Sequence, residues 1–251
     1  SNSFLNSILL DIFVIITMLA LTVTKLYYRI EKPAGLVWDE THFTKFSTWY
    51  VTGHYFVDIH PPLAKLIMAV FIWFSGYVPL DESNVEWWTQ TGFVGTKDYL
   101  NIYKSDAYIY VRFGSLIAGS ILVIATYLTM RALGCRRFTS FFTAWMIMTD
   151  HLITIDSRII LTDVYLWMFH VITIGCSFAS TKVKSTLGSF VLCTITGFML
   201  GCTVSVKYTA FGTIGIVGIH QAVFVFHSIY QTIKKNLARP PSGRLPSWLI
   251  F

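Results

Sequence analysis

The chain has 251 residues, 54% of them hydrophobic and only 13% charged, with a mean hydropathy of +0.60. Those proportions exclude an ordinary soluble globular domain and describe an integral membrane protein. The formal net charge of +6 is scattered between apolar runs rather than gathered into a basic stripe, which speaks against a nucleic-acid partner and makes membrane topology the reason for the cations.

Six apolar segments are expected to span, near 5–27, 108–133, 138–155, 160–180, 186–206 and 208–230, since about 20 helical residues cross the hydrocarbon layer. The first has no basic region before it and no small-residue cleavage site, so it is read as a retained anchor rather than a removable signal. The segment 138–155 is short and carries Asp150 and His151 near its far end; a tilted crossing accommodates it. Arg131, Arg136 and Arg137 fall in one inter-span region, Lys182 and Lys184 in another, and Lys234, Lys235, Arg239 and Arg244 in the tail. Cations of this kind stay cytosolic. By alternation the amino terminus is cytosolic, while the 29–107 loop, the DHLITIDSR turn and the Lys207 turn share the opposite face. The chain opens at Ser1 and stops at SWLIF, and is expected to be part of something longer.

The 29–107 loop carries structure of its own. HFTKFSTWYV before Gly53 predicts a short amphipathic helix closed by glycine. PPLAKLIMAVFIWFSG predicts a second, opened by Pro61 and Pro62 and ended by Gly76, because proline suits a helix start and glycine its exit. That second helix is too short to cross, so it is placed in the interface with Trp73 as an anchor. DESNVEWWTQTGFVGTKDY, residues 81–99, is polar with aromatic punctuation and is expected to be irregular.

The chemistry-bearing residues of the non-cytosolic face are Asp39, Glu40, His42, Asp58, His60, Arg112, Arg158, Asp163 and Lys207. Charges at the mouth of a span are costly without water, a partner or a ligand. Arg112 and Lys207 can bring positive charge to headgroup depth, and Asp39 and Glu40 can supply a base nearby. The residues alone leave plainer roles open: solvated carboxylates, cations snorkelling to lipid phosphates, histidines held in structural hydrogen bonds. Asp163 is expected to cap a helix or pair with Arg158, and Asp11 to face the bundle interior. The four cysteines read as small core residues. Nothing at HxxxH or DxD spacing predicts a resident metal, and no cofactor is expected.

WDETHFTKFSTWYVTGHYFVDIHPPLAK (38–65), YVRFGS (110–115), SRIILTD (157–163) and SVKYTAFGT (205–213) together resemble the dolichyl-phosphate-mannose protein O-mannosyltransferase family, and WDETHF resembles its second-type branch in particular. The resemblance implies a GT-C fold: an all-α integral membrane, multi-span helix bundle with a structured luminal first loop, here a single domain over 1–251 that lacks the family's later MIR domain and further helices. It implies transfer of mannose from dolichyl phosphate mannose to Ser/Thr hydroxyls of acceptor polypeptides, with inversion, at the luminal face of the endoplasmic reticulum. Asp39 would be the catalytic base, Glu40 its support, His60 part of the acceptor surroundings, and Arg112, Arg158 and Lys207 the substrate-binding cations. A second O-mannosyltransferase is the implied partner, beside membrane lipids. Two rival readings are a non-catalytic subunit of such a complex, and a transporter using Asp11, Asp163 and Lys207. The transporter reading lacks any visible inverted repeat.

Overall fold

The structure is a computed structural model that describes residues 2–76 and 106–237, all helical or irregular. The helices are α1 (Asn2–Tyr27), α2 (Glu40–Thr52), α3 (Leu63–Phe74), α4 (Ala107–Ala132), α5 (Arg137–Thr149), α6 (His151–Asp156), α7 (Asp163–Ser180), α8 (Thr186–Val204) and α9 (Phe211–Leu237), the last preceded by a 3₁₀ turn at Tyr208–Ala210. The fold is thus an all-α, multi-span membrane bundle. Among the described residues, four helical stretches, Leu5–Tyr27, Ala107–Ala132, Thr186–Val204 and Tyr208–Lys235, are long and apolar enough to cross a membrane.

The segment expected as one short span, 138–155, is two helices. Asp150 breaks it with extended dihedrals, and its carboxylate accepts the Ile153 N–H at 2.9 Å to cap α6, a role to which aspartate is well suited. The span expected from 160 begins at Asp163, because residues 157–162 form a turn instead. The reading of residues 81–99 lies outside the described residues, as do Arg239 and Arg244.

α4 is the axis of the bundle, packed by α7, α5, α1 and α3. Small residues set its approach to neighbours. A Cβ at Gly119 would run into the Ser157 side chain, and one at Gly175 of α7 into Thr129 of α4. Either substitution would force packed elements apart. The largest buried cluster joins Phe43 of α2, Met68 and Ile72 of α3, Val111 and Leu122 of α4, Ile160, and Val164 and Tyr165 of α7. The short loop helices therefore share one core with the bundle. Both end near the predicted glycines, and α3 begins where Pro61–Pro62 predict, while α2 begins two residues early, at Glu40: Gly53 closes α2 at φ 75°, Pro62 precedes the first residue of α3, and Gly76 stands two residues beyond its end at φ 70°.

At the opposite end of the bundle, Asp11 accepts from Arg137 Nε at 2.7 Å, from Arg131 Nη2 at 3.5 Å and from the Tyr127 hydroxyl. That cluster pins α1 to α4 and α5, so Asp11 does face the interior. Lys25 ties the other end of α1 to the α5–α6 corner by donating to Met148 O (2.6 Å) and Thr154 Oγ1 (2.8 Å). The cysteines are less internal than expected: Cys193 is exposed and the other three are half-buried.

Candidate active site

The turn Val37–Glu40 separates two adjacent carboxylates. Trp38 stands at φ 49°, a left-handed conformation that costs a bulky side chain about 1–2 kcal/mol. Beyond it Asp39 is exposed and Glu40 is fully buried. Asp39 stands at the start of α2 but its side chain makes no capping hydrogen bond, so its carboxylate is not engaged by the helix it begins.

Glu40 is engaged on both oxygens. Arg112 donates to it from Nε and Nη2, both at 3.1 Å, and the Val37 and Ile160 N–H groups donate at 2.8 Å each. The remaining Arg112 hydrogens go to Ile30 O (3.1 Å), Pro33 O (2.8 Å) and Gly35 O (3.4 Å), and its guanidinium lies 4.9 Å over the Tyr108 ring. All five donors of the guanidinium thus have protein acceptors. The sequence reading expected Arg112 at a phosphate; the structure places it inside, joining the 30–37 strand of loop, α2, α4 and the 157–162 turn.

Asp39 and His60, expected together, do line one cavity of about 250 Å3 with His42, Phe43, Phe46, Asp58 and Ile59. Its wall is held by a pair that sequence reasoning did not assign: buried Lys65 of α3 forms an ion pair with Asp58 and donates to His60 O at 2.7 Å. Lys65 also sits 5.4 Å over Phe46 and 5.9 Å over Phe56. Burial pushes the Asp58 carboxyl up, but Lys65 and the His60 and Ile59 N–H groups outweigh it and hold the group below the usual carboxylate range. The signal was available: a lone lysine in the first turn of an otherwise apolar helix, seven residues after an aspartate.

Lys207 and Arg158 do not line this cavity. Lys207 donates 2.8 Å to each oxygen of Asp163, and its neighbour Tyr208 borders a second cavity of about 370 Å3. Arg158 donates 2.8 Å to Tyr28 O and Arg29 O. The expected Asp163–Arg158 pair is therefore replaced by Asp163–Lys207, because Arg158 is drawn to the carbonyls closing α1.

Fold and cavity together define a multi-pass membrane protein with a carboxylate-lined site at one mouth of its bundle. The chain belongs to the dolichyl-phosphate-mannose-protein mannosyltransferase family, which it matches over residues 14–240. It is 27% identical over 235 residues to dolichyl-phosphate-mannose–protein mannosyltransferase 6 of Candida albicans, covering 89% of this chain and 27% of the relative. It is 32% identical over 215 residues to mannosyltransferase 4 of the same organism, covering 80% and 26%. Protein O-mannosyl-transferase 2 of Drosophila melanogaster is 27% identical over 239 residues, 89% of this chain and 29% of the relative. Among solved structures, the Saccharomyces cerevisiae protein O-mannosyltransferase Pmt1–Pmt2 complex bound to the sugar donor superposes with a TM-score of 0.73 at 25% identity, covering 87% of this chain and 28% of that one. Relatives of several family numbers match at similar identity, so these likenesses define the family and not its second-type branch. The chain spans about a quarter of the length of the relatives named.

Proposed function

We propose that this chain carries the reaction centre of a protein O-mannosyltransferase, with Asp39 as the general base. The observation that carries this reading is the division of the Asp39–Glu40 pair: Glu40 is buried on Arg112, while Asp39 faces a polar cavity with His60 and His42. One carboxylate positions the turn and the other remains for chemistry. Asp39 takes the proton of a Ser or Thr hydroxyl as its oxygen attacks mannose C1. The bond from C1 to the phosphate oxygen of dolichyl phosphate breaks with its electron pair leaving on phosphate, through an oxocarbenium-like state and with inversion. The departing group is dolichyl phosphate, a phosphomonoester that leaves without protonation, so it needs charge stabilisation. We assign that to Lys207, which is only partly buried and held by one carboxylate, rather than to Arg112, whose donors are occupied. Arg158 serves this reading only as a clamp on the loop after α1.

On the same reading, the site end faces the lumen of the endoplasmic reticulum and the amino terminus the cytosol. Its support is that Arg131, Arg136, Arg137, Lys182 and Lys184 all belong to the end opposite Asp39, and such cations stay on the cytosolic side. Six crossings follow if α5–α6 and α7 are counted as spans. Pairing with a second family member is proposed because the solved relative is a complex of two transferases.

The test is transfer by the intact protein in lipid vesicles, given a synthetic dolichyl phosphate β-mannose and a Ser/Thr peptide. An α-mannosyl peptide is expected. A β-linked product would overturn inversion, and no product from an inserted, folded protein would overturn the transferase reading.

A further inference from the structure

Asp58 and His60 belong to two cavities at once. On one side of them lies the Asp39 cavity; on the other lies the space of about 370 Å3 lined by Tyr50, Tyr55, Phe56 and Tyr208 together with Lys65, Val57 and Pro61–Pro62. The partition is held on both sides by packed contacts. Lys65, almost fully buried, holds Asp58 by an ion pair and His60 by its carbonyl, and Phe56 is stacked on Phe46 at 5.0 Å and meets Tyr50 edge-on at 4.9 Å.

The chemistry of the second cavity is specific. Its carboxylate is already neutralised by Lys65, so it offers aromatic faces and tyrosine hydroxyls with no net charge for a cationic group to seek. Aromatic-walled grooves with hydroxyl donors suit proline: its ring lays a flat apolar face on tyrosine, its missing N–H leaves no donor unpaired, and the preceding carbonyl can accept from a tyrosine. Because the cavities share a wall, adjoining residues of one extended polypeptide can occupy both.

We propose that the Tyr50–Tyr55–Tyr208 cavity is an acceptor subsite that takes a proline flanking the Ser or Thr presented to Asp39. This rests on the reading of Asp39 as the reacting centre. The subsite selects among acceptors by uncharged ring stacking rather than by charge. Tyr55 is its most accessible wall, 93% exposed, so removing it leaves the core untouched.

The experiment uses the intact protein in lipid nanodiscs and peptides in which proline is moved through the positions flanking a single Thr, alanine replacing it in the controls. Binding is read by fluorescence anisotropy without donor, and transfer by kcat/KM with dolichyl phosphate mannose. One flanking position is expected to favour proline over alanine by about tenfold in both readouts, the worth of one good ring contact. Tyr55→Ala and Tyr208→Ala should each bring that ratio toward one, and Tyr55→Phe should keep it. A ratio of one at every position in the wild type, a ratio that both alanine variants leave unchanged, or a rise in donor KM in place of lost peptide preference overturns the proposal. Proline-dependent binding without any transfer upholds the subsite and refutes the transferase reading, so the two fail separately.

Discussion

Asp39→Asn is expected to lower mannose transfer to a Ser/Thr peptide by about 10²–10⁴-fold, the range over which a positioned general base acts. The amide keeps the shape of the side chain and cannot take the hydroxyl proton. No structural loss should accompany it, because Asp39 is exposed and its side chain does not cap α2. Donor KM should change little, since the substitution removes an interaction made as the proton moves. The measurement is single-turnover transfer by wild type and variant, with proteolytic resistance in vesicles as the control for folding. Near wild-type transfer would refute the base assignment. Transfer that survives only when a second transferase co-purifies would make this chain the non-catalytic member of a pair.

Arg112→Ala is expected to cost about 3–5 kcal/mol of stability, the usual result of breaking one partner out of a buried ion pair. It would leave the Glu40 carboxylate fully buried with only the Val37 and Ile160 N–H groups, and would orphan the carbonyls of Ile30, Pro33 and Gly35. Arg112→Lys should rescue little, because an ammonium cannot reproduce the two-pronged contact. Arg112→Met combined with Glu40→Leu should recover more stability than Arg112→Ala, since it removes both charges at similar volume. Thermal unfolding in detergent ranks the three. An Arg112→Ala protein as stable as wild type but weak for donor would restore the phosphate role that its place at the mouth of α4 suggested.

The contrast between those two residues marks what one sequence can reveal. Helix limits in the loop were legible because they are written locally, in Gly53, Pro61–Pro62 and Gly76, whose backbone preferences act within a turn. The break at Asp150 was half-legible: a charge beside His151 signalled strain on a crossing, but not that aspartate would cap a new helix. Pairings were the hidden part. Glu40 and Arg112 stand 72 residues apart, and Asp163 and Lys207 stand 44 apart. Arg112 and Arg158 look alike in sequence as interfacial cations; only the fold shows that each ends on carbonyls of the chain leaving α1. Asp58 and Lys65 are close in sequence, yet their meaning depends on α3 turning the lysine inward against Phe46 and Phe56.

α9 meets the bundle through hydrogen-bonding side chains. His170 shares a hydrogen bond with Thr213, Ser177 shares one with His220 at 2.9 Å, and Gln221 Nε2 donates to Ser177 Oγ at 2.9 Å and to Ser180 Oγ at 3.2 Å. Most of its remaining surface is exposed apolar residues, among them Ile219, Val223 and Phe226. Lipid tails solvate that surface as well as a neighbouring helix would, so greasiness gives α9 no reason to dock. These polar contacts hold in one register only, so a slip of one turn along α7 would cost the Thr213, His220 and Gln221 contacts together.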